Sequence, residues 1–103
     1  MQASIIRTVV LGELILTVAA TSAFAYTGQE HAAEAKISIE QARAIALKAH
    51  PGKVTDEELE REAGGSGLRY SFDIQRGKVT QEVGIDAATG KLLENVPEGP
   101  NAD

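Results

Sequence analysis

Bulky apolar residues take every second place across residues 68–85, and the rest of the chain is organised around that alternation. Leu68, Tyr70, Phe72 and Ile74 share one face of an extended run, while Arg69, Ser71, Asp73 and Gln75 point the other way. On the return, Val79, Val83 and Ile85 fall on one face with Gln81 among them, and Lys78, Thr80 and Glu82 on the other. A two-residue turn at Arg76-Gly77 would pair Gln75 with Lys78, Ile74 with Val79, Tyr70 with Val83 and Leu68 with Ile85, so that the apolar faces coincide. Arg fits poorly where positive φ is favoured, which leaves a longer or bulged loop as the alternative.

Upstream the period becomes helical. Ser38 and Gln41 have capping-box spacing, and Ile37 is placed to staple onto Ala42. Ile39, Ala42, Ile45, Ala46 and Ala49 fall within a stripe about 120° wide, with Glu40, Arg43 and Lys48 off it. Small residues on that stripe let a helix lie close on a sheet, and His50-Pro51-Gly52 ends it. Residues 53–63 have helical propensity, but their place between Pro51-Gly52 and a Gly-Gly-Ser-Gly loop predicts a third strand for the hairpin. A four-residue loop sets Ala63 opposite Leu68, Arg61 opposite Tyr70 and Leu59 opposite Phe72, with Asp56, Glu58, Glu60 and Glu62 turned to solvent as on a protected edge. Asp86 to Lys91 reads as a turn in which Asp86 accepts from N–H groups and Gly90 takes positive φ, followed by a short strand at Leu92-Leu93.

Both ends of the chain read differently. Residues 1–25 combine one early cation (Arg7), an apolar run from Val9 to Ala20 and small residues at Ala23 and Ala25, which predicts an export signal cleaved after Ala25. Glu13 within the run fits poorly, and the rival reading, an uncleaved anchor, would bury it at about 2.5–3.5 kcal/mol. Residues 26–36 are polar and alanine-rich and read as a flexible leader, and residues 97–103 as a disordered tail, leaving residues 37–96 as the domain.

With 103 residues there is room for one domain, and with no cysteine an exported form must fold without disulfides. The net charge of -5 survives removal of residues 1–25, because Arg7 (+1) and Glu13 (−1) cancel. That balance, with no basic stripe, argues against nucleic acid.

Taken together, Ser38-Ile39-Glu40-Gln41-Ala42, His50-Pro51-Gly52-Lys53-Val54, the extended run 68–74 and the stretch from Glu82 through Val83-Gly84-Ile85-Asp86-Ala87-Ala88-Thr89-Gly90-Lys91 to Leu93 resemble a PepSY domain over residues 37–94. The closing Val-x-Ile-Asp-Ala-x-Thr-Gly-Lys is the most specific part and describes a turn. Gly84 departs from the family pattern, where a bulkier or polar strand residue is common, and the glycine loop is generic. The resemblance implies a helix packed on an antiparallel sheet and a role outside the cytoplasm. The family includes propeptides of thermolysin-like metallopeptidases and stand-alone proteins that restrain peptidases. It carries no catalytic residue.

The inventory of reactive groups agrees. His31 lies in the leader, His50 at the helix end, and Ser38, Ser66 and Ser71 serve as cap, loop and strand exterior, so no base stands beside a nucleophile. For a metal, Glu58, Glu60 and Asp73 form the candidate set, with Glu58 opposite Asp73 in the register above. A flat strand spaces alternate side chains about 7 Å apart, which favours a solvated acidic edge over a wrapped calcium ion. The outer sheet face, with no second helix to cover it, carries the partner-binding candidates Asp56, Glu58, Glu60, Arg69, Ser71, Asp73 and Glu82, which suit a basic partner by charge or an extended peptide at an open edge.

These readings predict an α+β domain, one N-terminal helix on a three- to four-stranded antiparallel sheet. They predict an exported, periplasmic or secreted, non-enzymatic binding module without cofactor that modulates or inhibits a peptidase. The alternative is a calcium-responsive or structural envelope protein using the acidic face.

Overall fold

The helix begins where the sequence sets its cap. The Ser38 Oγ accepts the Gln41 N–H at 3.1 Å and the Ser38 N–H donates to Gln41 Oε1 at 2.8 Å, closing the capping box of α1 (Ile39–Ala49). His50 leaves helical geometry while its N–H still reaches the Ala46 carbonyl at 2.8 Å, and Pro51 follows. In the computed structural model, which describes residues 25–99, α1 is followed by β1 (Lys53–Arg61), β2 (Leu68–Arg76), β3 (Val79–Asp86) and β4 (Leu92–Pro97). The strands form one antiparallel sheet in the order β1-β2-β3-β4, an α+β arrangement with α1 on one face. The expected export signal, Ala25 aside, lies outside the described residues, as do residues 100–103.

One core sits between helix and sheet. Ile39, Ala42 and Ala46 of α1 pack on Leu59, Leu68, Tyr70, Phe72, Ile74, Val83, Ile85 and Ala87. The Tyr70 and Phe72 rings lie 6.5 Å apart, and the Tyr70 hydroxyl donates to the Ile37 carbonyl at 2.9 Å. Burial, first of all, and the nearby Tyr26 and Glu40 push the Tyr70 phenol up to about 12.

Several expectations need correction. The hairpin turn holds Gly77-Lys78, closed by Arg76 opposite Val79, because Gly77 at φ 65 takes the first central position, where primed hairpin turns need positive φ. Moving the turn by one residue slides the partner strand by two, so Tyr70 faces Ile85 and Phe72 faces Val83 while both apolar faces still coincide. Between β1 and β2 the loop is six residues long, Arg61 pairs with Leu68, Leu59 with Tyr70 and Glu57 with Phe72, and a bulge lies between Val54 and Asp56. Leu59 is buried as expected, but opposite Tyr70. On α1 the buried face runs through Ile39, Ala42 and Ala46 toward a half-buried Leu47, while Ile45 and Ala49 are exposed. That rotation brings Arg43, on the border of the face, to a two-point ion pair with the inward Glu57 carboxylate, its Nη2 donating to Oε1 at 3.0 Å.

The segment ahead of the helix is not an unpacked leader. Gln29–Glu34 form a 3₁₀ turn, Tyr26, Ala32 and Ala35 pack on the core, and the Leu59 N–H donates to the Thr27 carbonyl at 2.8 Å, so Thr27 lies parallel to Glu58 on the β1 edge. Alanine and one tyrosine suffice here because the strap only fills the strip that the helix leaves open. At the other end, β4 runs through Pro97, and the Glu98 N–H donates to the Thr80 carbonyl at 2.9 Å, so the expected disordered tail does not begin at Pro97.

Phe72, fully buried at the middle of β2, is the residue whose loss the fold should feel most. Phe72→Ala should lower the unfolding free energy by about 3–5 kcal/mol, whereas Lys78→Ala in the exposed turn should change it by less than about 0.5 kcal/mol. Urea unfolding of the two variants checks both values.

Candidate functional site

The face of the sheet opposite α1 carries the candidate residues, and the register sorts them into rows. Asp56, Asp73, Glu82 and Val96 stand opposite one another across the four strands, Glu58, Ser71, Gly84 and Glu94 form the next row, and Glu60, Arg69 and Asp86 the third. All seven sequence candidates therefore lie on one face. Two are not displayed on it: Arg69 is 7 % exposed and Ser71 8 %. Ser71 is roofed by Glu60, whose Oε2 accepts its hydroxyl at 2.8 Å. Arg69 lies flat over β3, Nη1 donating to Glu94 Oε1 at 3.1 Å with Glu62 at 3.8 Å, and Nη2 donating to the Ala63 carbonyl at 3.1 Å.

Gly84 makes that crossing possible. A Cβ at Gly84 would stand 3.1 Å from Arg69 Cδ and 3.3 Å from Glu94 Cβ, tighter than ordinary contact. The departure from the family pattern is thus the notch through which a central-strand arginine reaches an edge-strand carboxylate.

The carboxylates outnumber that one paired arginine, and their chemistry shows it. Burial first, then Glu98, Asp56 and Glu82, push the Asp73 carboxyl up to about 7. Burial followed by Glu94 and Glu98 raises Glu82, and burial followed by Glu60 and Asp56 raises Glu58. Glu94 and Glu98 belong to this face but were not among the sequence candidates. They fall outside the sequence candidates because the sequence predicts a last strand of Leu92-Leu93 alone, whereas β4 runs on to Pro97.

The metal alternative is reshaped by the same register. Glu58 faces Ser71 and Asp56 faces Asp73, so the expected Glu58–Asp73 opposition does not occur. Among the described residues, no three His, Asp or Glu side chains gather as metal ligands. Both sheet edges are blunted: β1 by its bulge and by Thr27, β4 by the bulge between Gly84 and Ile85 and by Pro97. The open outer face is therefore a better contact surface than either edge.

Opposite in character is Asp86, buried at the end of β3. Its Oδ1 accepts the Ser66 N–H at 2.9 Å and hydroxyl at 2.6 Å, and its Oδ2 accepts the Thr89 N–H at 3.2 Å and hydroxyl at 2.7 Å. Burial pushes this carboxyl up, but the four hydrogen bonds to its charged form outweigh it and hold it down at about 2. The glycine loop is specific in this chain, since a Cβ at Gly65 would lie 2.9 Å from Asp86 Oδ1.

These residues lie within the stretch that decides the family: residues 36–95 match the peptidase propeptide and YPEB domain family, PepSY. The chain belongs to the PepSY family. Searches of curated proteins and of solved structures found no match. PepSY domains are non-catalytic propeptide or inhibitor-type modules that interact with peptidases, and PepSY proteins are often exported. Among the described residues of this PepSY protein, no helix is long and apolar enough to cross a membrane. His31 sits beside Glu30 and Glu34 on the strap, Ser66 serves Asp86, and Ser38 caps α1, so each of these groups already has a structural partner.

Gly84→Ala should cost about 1–3 kcal/mol by displacing Arg69, and in an Arg69→Ala background, where only the Glu94 Cβ contact remains, the same change should cost about 1 kcal/mol less. A double-mutant cycle by urea unfolding measures that coupling. For Asp86, the folded value lies below the ordinary 3.8, so its contribution is present above 3.8 and is lost as pH falls toward 2. Asp86→Asn should therefore cost about 1.5–3 kcal/mol at pH 7, and the gap to the wild type should close between pH 4 and about 2, as melting curves across that range will show.

Proposed function

We propose that this PepSY protein is an exported, non-enzymatic module that restrains or modulates a peptidase in the cell envelope or outside the cell, and that it meets the peptidase with its outer sheet face. The observation that carries the reading is the family match across residues 36–95, which supplies the class of partner. The uncovered face of Asp56, Glu58, Asp73, Glu82, Glu94 and Glu98 supplies the place, because carboxylates held together on a firm sheet draw a basic surface by complementary charge. The exported form begins at Tyr26, a cut that keeps every core-packing residue of the strap, Tyr26 included, on the mature chain.

The test mixes the exported protein with secreted peptidases from its own source and follows hydrolysis and complex formation. A complex should form at micromolar concentration, weaken as salt rises, and be lost on reversal of Glu58, Asp73 and Glu82 to lysine. Finding neither inhibition nor a complex at low salt would overturn the reading. A rise in Tm on adding calcium would instead favour the calcium-responsive alternative, since binding to the folded state alone must raise it.

A further inference from the structure

The outer face is not uniformly acidic. At one end Arg69 neutralises Glu94 and approaches Glu62, and Ser71 satisfies Glu60. At the other end Asp56, Asp73 and Glu82 stand directly opposite one another on three neighbouring strands, and the Glu98 N–H bond to Thr80 holds Glu98 beside that row. Like charges directly opposite on a sheet repel.

Carboxylates from each neighbouring strand add to the repulsion. Around Asp73 stand Asp56 and Glu58 from β1, Glu82 from β3, and Glu94 and Glu98 from β4 and its extension. The nearest cations are Lys53, in the row of Gln75, and Lys78 of the hairpin turn, which lines one surface depression with Thr80 and Glu98; both are exposed and neither makes an ion pair among the described residues. Arg69 is already engaged, and Arg43 binds Glu57 on the opposite side of the sheet.

We propose that the Asp56–Asp73–Glu82–Glu98 end of the outer face is a proton-operated switch on the peptidase-contact surface: above neutral pH it presents its full negative charge, and on acidification it takes up protons, loses that charge and releases a basic partner. The proposal rests on the reading of this face as the contact surface. Carboxylates held opposite one another on neighbouring strands take up protons more readily than separate ones, and the group then titrates as a unit. Asp73 is held up at about 7, well above its ordinary 3.8, so the stability it contributes is present at acid pH and is lost as pH rises through about 7. Glu82 and Glu58 are raised and act in the same direction. The fold therefore tightens over the range in which its surface loses charge, until Asp86 begins to protonate far below.

The experiment uses the protein as exported, at fixed ionic strength, with octalysine as the basic probe, whose ammonium groups keep their charge throughout the range. From pH 8 to 5.5 the Tm should rise by several degrees and the affinity for octalysine should fall about tenfold. The paired variant Asp73→Asn, Glu98→Gln should have a nearly level Tm over that range and a change in affinity of less than about threefold. A wild-type Tm that stays level or falls from pH 8 to 5.5 would overturn the switch, as would a paired variant that keeps the wild-type pH dependence. Capture of secreted peptidases at pH 8 and not at 5.5 would support it. A protein that binds octalysine with the expected pH dependence but no peptidase at either pH would keep the switch and defeat the peptidase reading.

Discussion

The buried carboxylate of Asp86 is the interaction on which the arrangement of this PepSY domain depends. Four hydrogen bonds tie the β1–β2 loop through Ser66 and the β3–β4 turn through Thr89 to one point at the end of the central hairpin. The next residue extends the tie: the Ala87 carbonyl accepts the N–H groups of Lys36 and Ile37 at 2.9 and 3.1 Å, which sets where the chain enters α1. Ser66 and Thr89 each contribute a hydroxyl and an N–H, so the charge is solvated by the protein in place of water. The Asp-Ala-x-Thr-Gly signature is therefore a structural knot.

A second constraint follows from the small helix. An α-helix is about 10 Å across, whereas four strands about 4.8 Å apart make a wider surface. Centred over β2 and β3, α1 leaves a strip on each side. On the β1 side the strap fills it with Tyr26, Ala32 and Ala35, and Arg43 crosses to Glu57. Toward β4 the strip stays open, with Ile45 36 % and Leu92 42 % exposed. Leu68, Tyr70, Phe72, Ile74, Val83 and Ile85 of the middle strands are thereby dry, which lets a domain of this size hold together without a disulfide.

The outer face is organised by a different balance. One arginine, laid through the notch at Gly84, ties β2 to β4 across β3 and neutralises one end of the face. The other end keeps like charges opposed across three strands, a local cost to the fold that brings negative potential to a surface open to a partner. A face built only for solubility would intersperse the two signs, whereas this one gathers its carboxylates and leaves Lys53 and Lys78 at their margin.

Legible in the sequence were the features whose physics is local: the capping box at Ser38, the stop at Pro51, the alternation that turns Leu68, Tyr70, Phe72 and Ile74 inward, the turn chemistry of Asp86 and Gly90, and from these a helix on an antiparallel sheet with its acidic residues on one face. Alternation has period two, so it fixes which face a residue takes but not which residue it meets. Both hairpin registers accordingly lie two residues from the expected ones, with the faces preserved up to the β1 bulge between Val54 and Asp56. The rotation of α1 toward Arg43, the docking of the strap and the extension of β4 to Pro97 depend on which surfaces stay uncovered once sheet and helix meet. The burial of Arg69 depends on the absence of a side chain at Gly84, fifteen residues along the chain and adjacent only after β2 and β3 pair. The sequence by itself determined the elements and their faces, because those follow from neighbours along the chain. Register, helix azimuth and the meeting of carboxylates on the outer face were decided only by tertiary structure, because they follow from neighbours across it.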